Sequence, residues 1–174
     1  MKQVDVYTAD ICDKEPAARV IAVPFRDFGG RCSFHGEIVT LATYEDNTGM
    51  REVLAKRGRG KVLVVDGRQS LSRALVGGNI ANLAAEKRWE GMVINGAVRD
   101  CHEMIDLPLG IKAMGTAPMK PRSDHIVQVN IVINVAGVRI YPGQYLYADP
   151  DGVIVLDLSL IHISEPTRRT PISY

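Results

Sequence analysis

Apolar residues in this chain come in short runs, and two of them, residues 62–65 and 92–94, contain no polar position at all. Such a run is too short for a helix and predicts a strand buried on both faces. Between them, Ile80, Leu83 and Ala84 recur at i, i+3 and i+4, which predicts a helix from Asn79 to Lys87. Strand, helix and strand over this length predict a right-handed parallel crossover. Upstream, Thr8 is placed to cap a short helix reaching Cys12 and ending by Pro16, and residues 19–23 and 37–44 read as strands. Residues 25–36 read as a tight glycine-rich excursion. Asn47 is placed to cap a helix that presents Met50, Val53 and Leu54 on one face and stops at Gly58-Arg59-Gly60. Downstream, a helical stretch follows Asp100, residues 110–114 read as a strand, and 126–135 alternate imperfectly. Residues 138–140, 145–147 and 153–156 read as short strands joined by Pro-Gly and Asp-Pro-Asp-Gly turns. The expected architecture is α/β: one domain over residues 1–157, with a parallel βαβ core and an antiparallel, hairpin-rich flank.

Composition adds mainly exclusions. The 174 residues are 46% hydrophobic with a net charge of +1, and neither a basic face nor an acidic tract appears. No direct nucleic-acid partner is expected, and no membrane partner, because no apolar run approaches spanning length. The first ten residues lack the apolar centre of a signal peptide. Cys12, Cys32 and Cys101 are odd in number and lack metal-type spacing, which suits a reducing, cytoplasmic setting.

The predicted topology points to a site. Strands 62–65 and 92–94 run the same way, so their C-terminal ends share the sheet edge where open α/β sheets bind ligands. The loop after the first strand leads to Gly77-Gly78; the second strand delivers Arg99 and Asp100. Glycines ahead of a helix let backbone approach a ligand, and the first helical N–H groups, here around Gly77, Gly78, Asn79 and Ile80, form an anion cradle. Arg99 can grip a carboxylate in two parallel hydrogen bonds, and Asp100 is a hard oxygen donor suited to Mg²⁺ or Mn²⁺. Taken singly, the glycines could be a plain turn and Arg99-Asp100 a surface ion pair; their joint placement favours a site. His35, His102 and His125 read as structural or surface residues, Trp89 as packing at a helix–strand junction, and Glu45-Asp46-Asn47 as a helix start.

The segments FRDFGGRCSFHGEIVT, YEDN, GKVLVVDG, RALVGGNIANLA, WEGMVINGAVRD, GIKAMGTAPMK and YLYADPDGVIV, in this order, resemble the RraA-like family across nearly all of residues 5–157. That family contains 4-hydroxy-4-methyl-2-oxoglutarate aldolases, which also decarboxylate oxaloacetate, and regulators that inhibit ribonuclease E. The resemblance implies a swivelling β/β/α fold and a homotrimer with sites between subunits. By position it implies a substrate carboxylate on the amides around Gly77, Gly78, Asn79 and Ile80, with Arg99 on the substrate and Asp100 on the metal. The implied function is that of a class II, divalent-metal-dependent aldolase, a carbon–carbon lyase. It would cleave the hydroxy-oxo acid to two pyruvates by a metal-assisted retro-aldol step and decarboxylate oxaloacetate as a side activity. The alternative is a non-catalytic regulator that binds ribonuclease E.

This chain departs from the aldolase pattern in three places. Gly78 stands where an Asp is usual, so Gly78→Asp is expected to raise activity; Arg68-Gln69 replace a glycine-rich turn; and PRSDHIVQVN follows Met119-Lys120 without the usual glycines. A methyltransferase reading lacks the GxGxxG turn of a nucleotide fold. Finally, LSLIHISEPTR resembles a translated sequencing-library adapter, so residues 158–174 are expected to be a non-native tail and are set aside.

Overall fold

The computed structural model describes residues 6–157. In chain order its elements are α1 (Thr8–Lys14), β1 (Arg19–Val20), β2 (Arg26–Asp27), β3 (Phe34–Ala42), α2 (Met50–Leu54), β4 (Lys61–Asp66), β5 (Ala74–Val76) and α3 (Gly78–Glu86). They continue with β6 (Gly91–Val98), α4 (Cys101–Met104), β7 (Gly110–Thr116), β8 (Gln128–Val129), β9 (Ile133–Val135), β10 (Val138–Ile140), β11 (Tyr145–Asp149) and β12 (Gly152–Leu156). The adapter-like segment lies outside the described residues.

One sheet runs β1-β12-β11-β3-β4-β6-β7-β2, with β5 also on β6 and β8 also on β3. The pairs β3·β4, β4·β6, β5·β6 and β6·β7 are parallel, and those at the flanks are antiparallel. The parallel core and hairpin-rich flank therefore stand as the apolar pattern predicts. Strand β4 shows the physical basis: Leu63 and Val65 enter the core under α2, α3 and α4, while Val62 and Val64 enter the core covered by the β9–β10 hairpin. Burying both faces removes any need for polar alternation.

Several local expectations are corrected. Thr8 is the first residue of α1 rather than its cap; its hydroxyl and amide bind Asp149 at 2.8 and 2.6 Å, pinning the helix to β11. Asn47 does not cap α2. Gly49 does, at φ 80°, and the Asn47 side-chain amide donates instead to the Leu75 carbonyl at 3.0 Å. The crossover contains a strand that the pattern missed: β5 leaves the loop after β4 and pairs with the far half of β6 before α3 begins. Strand 19–23 shrinks to two residues, and 126–135 splits into β8 and β9. Trp89 sits where expected, 2% exposed, with its Nε1 donating to the carbonyls of Leu54 and Lys56. Among the described residues no helix is long and apolar enough to cross a membrane.

Candidate active site

The loop after β4 turns at Arg68 and Gln69, at φ 54° and 61°, left-handed positions that glycine occupies at least cost. The turn is held by Arg68 N–H to Asp66 Oδ1 and Gln69 N–H to the Asn95 carbonyl, at 3.0 and 3.1 Å. It delivers the chain to β5, whose Val76 carbonyl accepts the Arg99 N–H at 2.9 Å. β5 therefore ends beside the end of β6, and the residues that follow each strand are neighbours.

Those residues are Gly77 and Gly78 on one side and Arg99 and Asp100 on the other. Gly78 is the first residue of α3, one earlier than the periodicity suggests. Its amide donates to Asp100 Oδ2 at 3.0 Å. Of the three leading helical amides that lack an intrahelical partner, one is thus taken by Asp100; those of Asn79 and Ile80 remain at the positive helix tip. Asp100 itself lies at φ 59°, a left-handed turn that ends β6 and folds its carboxylate back on α3. Arg99 lies along Gly77: a Cβ there would sit 3.5 Å from both its Cγ and Nε, and 2.9 Å from Asp100 Oδ2. Its guanidinium donates to the Pro118 carbonyl at 3.3 Å, which fixes its direction.

Gly77, Gly78, Asn79, Ile80, Arg99 and Asp100 all line a single cleft of about 340 Å³. The wall opposite was not anticipated: Asn47, Thr48, Gly49, Arg51 and Pro121 complete it. That wall is built on Asp46, which is fully buried and starts no helix. Its Oδ1 accepts the Thr48 N–H, and its Oδ2 accepts the Thr48 hydroxyl and the Ile126 N–H, each at 2.9 Å. Burial pushes the Asp46 carboxyl up, but the amides of Thr48 and Ile126, the Thr48 hydroxyl and nearby His125 outweigh it and hold the group below its ordinary value. PRSDHIVQVN is thereby tied to the YEDN segment, also by Arg122 N–H to the Glu45 carbonyl at 2.6 Å. The sequence carried a signal for this wall in the Asp-Asn-Thr-Gly run, whose side chains favour turns over helix starts.

The donor set constrains what the cleft can hold. Among the described residues no three His, Cys, Asp or Glu side chains cluster as a closed cage. Asp100 faces the cleft, and Glu103 of α4 abuts the same Gly78. One or two carboxylates with the remaining positions left to water suit Mg²⁺ or Mn²⁺, not a thiolate- or imidazole-bound metal. No histidine among the described residues lines the cleft: His35 bonds Tyr145 Oη at 2.8 Å and stacks on Tyr147, His102 is exposed, and His125 lies near Asp46 behind the wall. The three cysteines are free thiols, none of them lining the cleft. Among the described residues no lysine lines it either. The buried Lys112 is committed elsewhere, to Asp27 Oδ1 at 3.2 Å and the Asp149 carbonyl at 2.6 Å.

A family model described as RraA-like, Aldolase/RraA, matches residues 8–155. A Thermus thermophilus protein named 4-hydroxy-4-methyl-2-oxoglutarate aldolase is 42% identical over 153 residues, spanning 88% of this chain and 93% of its own. Two solved structures share the fold closely. The RNA-processing inhibitor RraA from Thermus thermophilus superposes with a TM-score of 0.85 at 41% identity, covering 88% of this chain and 93% of that one. A Geobacillus kaustophilus protein named S-adenosylmethionine:2-dimethylmenaquinone methyltransferase gives 0.84 at 40% identity, covering 87% and 94%.

Proposed function

We propose a function on one premise: the chain belongs to the RraA-like family. The reading is a lyase that cleaves 4-hydroxy-4-methyl-2-oxoglutarate to two pyruvates, depends on a divalent cation, and decarboxylates oxaloacetate as a side activity. The observation that carries it is the convergence of the α3 tip, Arg99 and Asp100 on one cleft. The name borne by the Thermus relative supports the substrate.

In this reading the amides of Asn79 and Ile80 receive the carboxylate next to the keto group, with Arg99 beside it supplying a fixed, permanently charged donor. The substrate is a dicarboxylate, and Arg51 on the opposite wall offers a second cation for its far end. Asp100 would hold Mg²⁺ or Mn²⁺, whose contribution when bound is Lewis-acid polarisation of the keto oxygen. Loss of the C4 hydroxyl proton lets the C3–C4 bond break. Its electron pair passes through C3 toward the keto oxygen, and Arg99 places positive charge where that oxygen becomes anionic. Proton return to C3 completes the second pyruvate. With oxaloacetate the same charge development follows loss of CO₂. A Schiff-base route would need an amine, and the described residues of the cleft wall include no lysine. A homotrimer with each cleft near a subunit boundary belongs to the same proposal.

A coupled assay for pyruvate, run with Mg²⁺ and with a chelator, tests the reading. Metal-dependent pyruvate release from both acids is expected. No release from either, together with capture of ribonuclease E, would establish the regulator instead, the second reading that the solved RNA-processing inhibitor favours.

A further inference from the structure

We propose that Glu103 is a positioning residue of the cation site: its carboxylate stands over the α3 tip and orders water around a divalent ion carried by Asp100. This rests on the metal-dependent reading above.

The geometry begins at Asp100. Its left-handed backbone reverses the chain, and its carbonyl accepts the Glu103 N–H at 2.9 Å, closing one helical turn. That turn swings the Glu103 side chain back across the start of α3. A Cβ built on Gly78 would overlap Glu103 Oε2, and would lie 2.7 Å from its Cδ and 3.2 Å from its Cβ. The carboxylate therefore occupies the space that any side chain at 78 would need. The same glycine donates its amide to Asp100 Oδ2. Two carboxylates thus converge on one backbone position, at a helix whose first turn has no acidic residue of its own.

Carboxylates gathered at one helix tip repel one another. The His102 partner of Glu103 does little. Its Nε2 is 3.8 Å away, and the two side chains are 81% and 46% exposed, so the pair is solvent-screened. The α3 dipole offsets part of the repulsion, and a cation held by Asp100 would offset more of it. Because one oxygen of Asp100 is already engaged by Gly78, a second carboxylate at hydrogen-bonding range of the ion's waters would fix their orientation. On this reading an acid placed at 78 does not simply add to the site. Gly78→Asp alone would make the half-exposed Glu103 carboxylate swing aside, so the two acids compete for one space.

Calorimetric titration of the full chain with Mn²⁺ tests the assignment, with metal-free melting recorded alongside. Glu103→Gln is expected to weaken Mn²⁺ binding about 10-fold or more, the usual cost of losing an outer partner, with the metal-free melting temperature unchanged. Moving the acid, in Gly78→Asp/Glu103→Ala, should recover most of the affinity, whereas Gly78→Asp alone should not exceed wild type. Unchanged Mn²⁺ affinity in Glu103→Gln would overturn the role of Glu103 and leave the metal site standing. Affinity lost only in step with metal-free stability would also overturn it, identifying Glu103 as a dipole partner of α3. A wild-type chain that binds no Mn²⁺ would overturn the metal reading itself.

Discussion

The Gly78 amide and the Asp100 carboxylate, 22 residues apart, are joined by a 3.0 Å hydrogen bond. That bond ties the first residue of α3 to the turn after β6 and sets the floor of the cleft. Removing the carboxylate tests chemistry and structure separately. Asp100→Ala should lower pyruvate release from both acids by roughly 10²–10³, the scale of losing one preorganised electrostatic group. The fold should survive, since the backbone bond from Arg99 to Val76 remains. A coupled pyruvate assay with a thermal melt reads both, and near-wild-type turnover would refute the role.

The two arginines of the cleft should behave differently. Arg99→Lys keeps the charge but loses the planar fork and its bond to Pro118, so kcat/KM should fall about 10²-fold, mostly in kcat. Arg51→Ala should raise KM for the dicarboxylic hydroxy-oxo acid about 10-fold with little change in kcat, because the far carboxylate does not gain charge during cleavage. Steady-state kinetics on both variants separates the effects, and equal losses in both parameters for Arg51→Ala would contradict its assignment.

Asp46 should dominate the acid stability of the cleft's outer wall. Its carboxyl lies below its ordinary value in the folded chain, so its contribution is fully present above the unfolded value of about 3.9 and is lost as pH falls through the folded one. Asp46→Asn should cost about 1–3 kcal/mol at pH 7, the penalty for leaving buried donors poorly matched. The difference from wild type should shrink below about pH 4. Denaturant melts across pH 3 to 7 check this; a gap that stays constant with pH would exclude the carboxylate as its source.

At Gln69 the backbone conformation itself is unfavourable. A residue with a Cβ at φ 61° is strained by about 1–2 kcal/mol, partly offset because glycine gives the unfolded chain more freedom. Gln69→Gly should therefore stabilise by about 0.5–1 kcal/mol. Arg68→Gly should gain less, because Arg68 also lies 5.8 Å over the Tyr44 ring, a cation–π contact worth up to about 1 kcal/mol when exposed. Thermal or urea unfolding measures both, and destabilisation by Gln69→Gly would show that its side chain matters more than its backbone.

The apolar runs at 62–65 and 92–94 and the stripe of Ile80, Leu83 and Ala84 determined the parallel core, because burial on two faces and helical periodicity are local properties of the chain. They also placed Gly77, Gly78, Arg99 and Asp100 at one sheet edge, since parallel strands must end together. Tertiary structure alone decided what those residues meet. β5 is three residues long and too short to show a period. The opposite wall depends on Asp46 gathering amides from Thr48 and Ile126, the latter a contact across 80 residues. The neighbour of Gly78 is equally non-local: an absent side chain says nothing about what fills its place, and only packing put the carboxylate of Glu103 there.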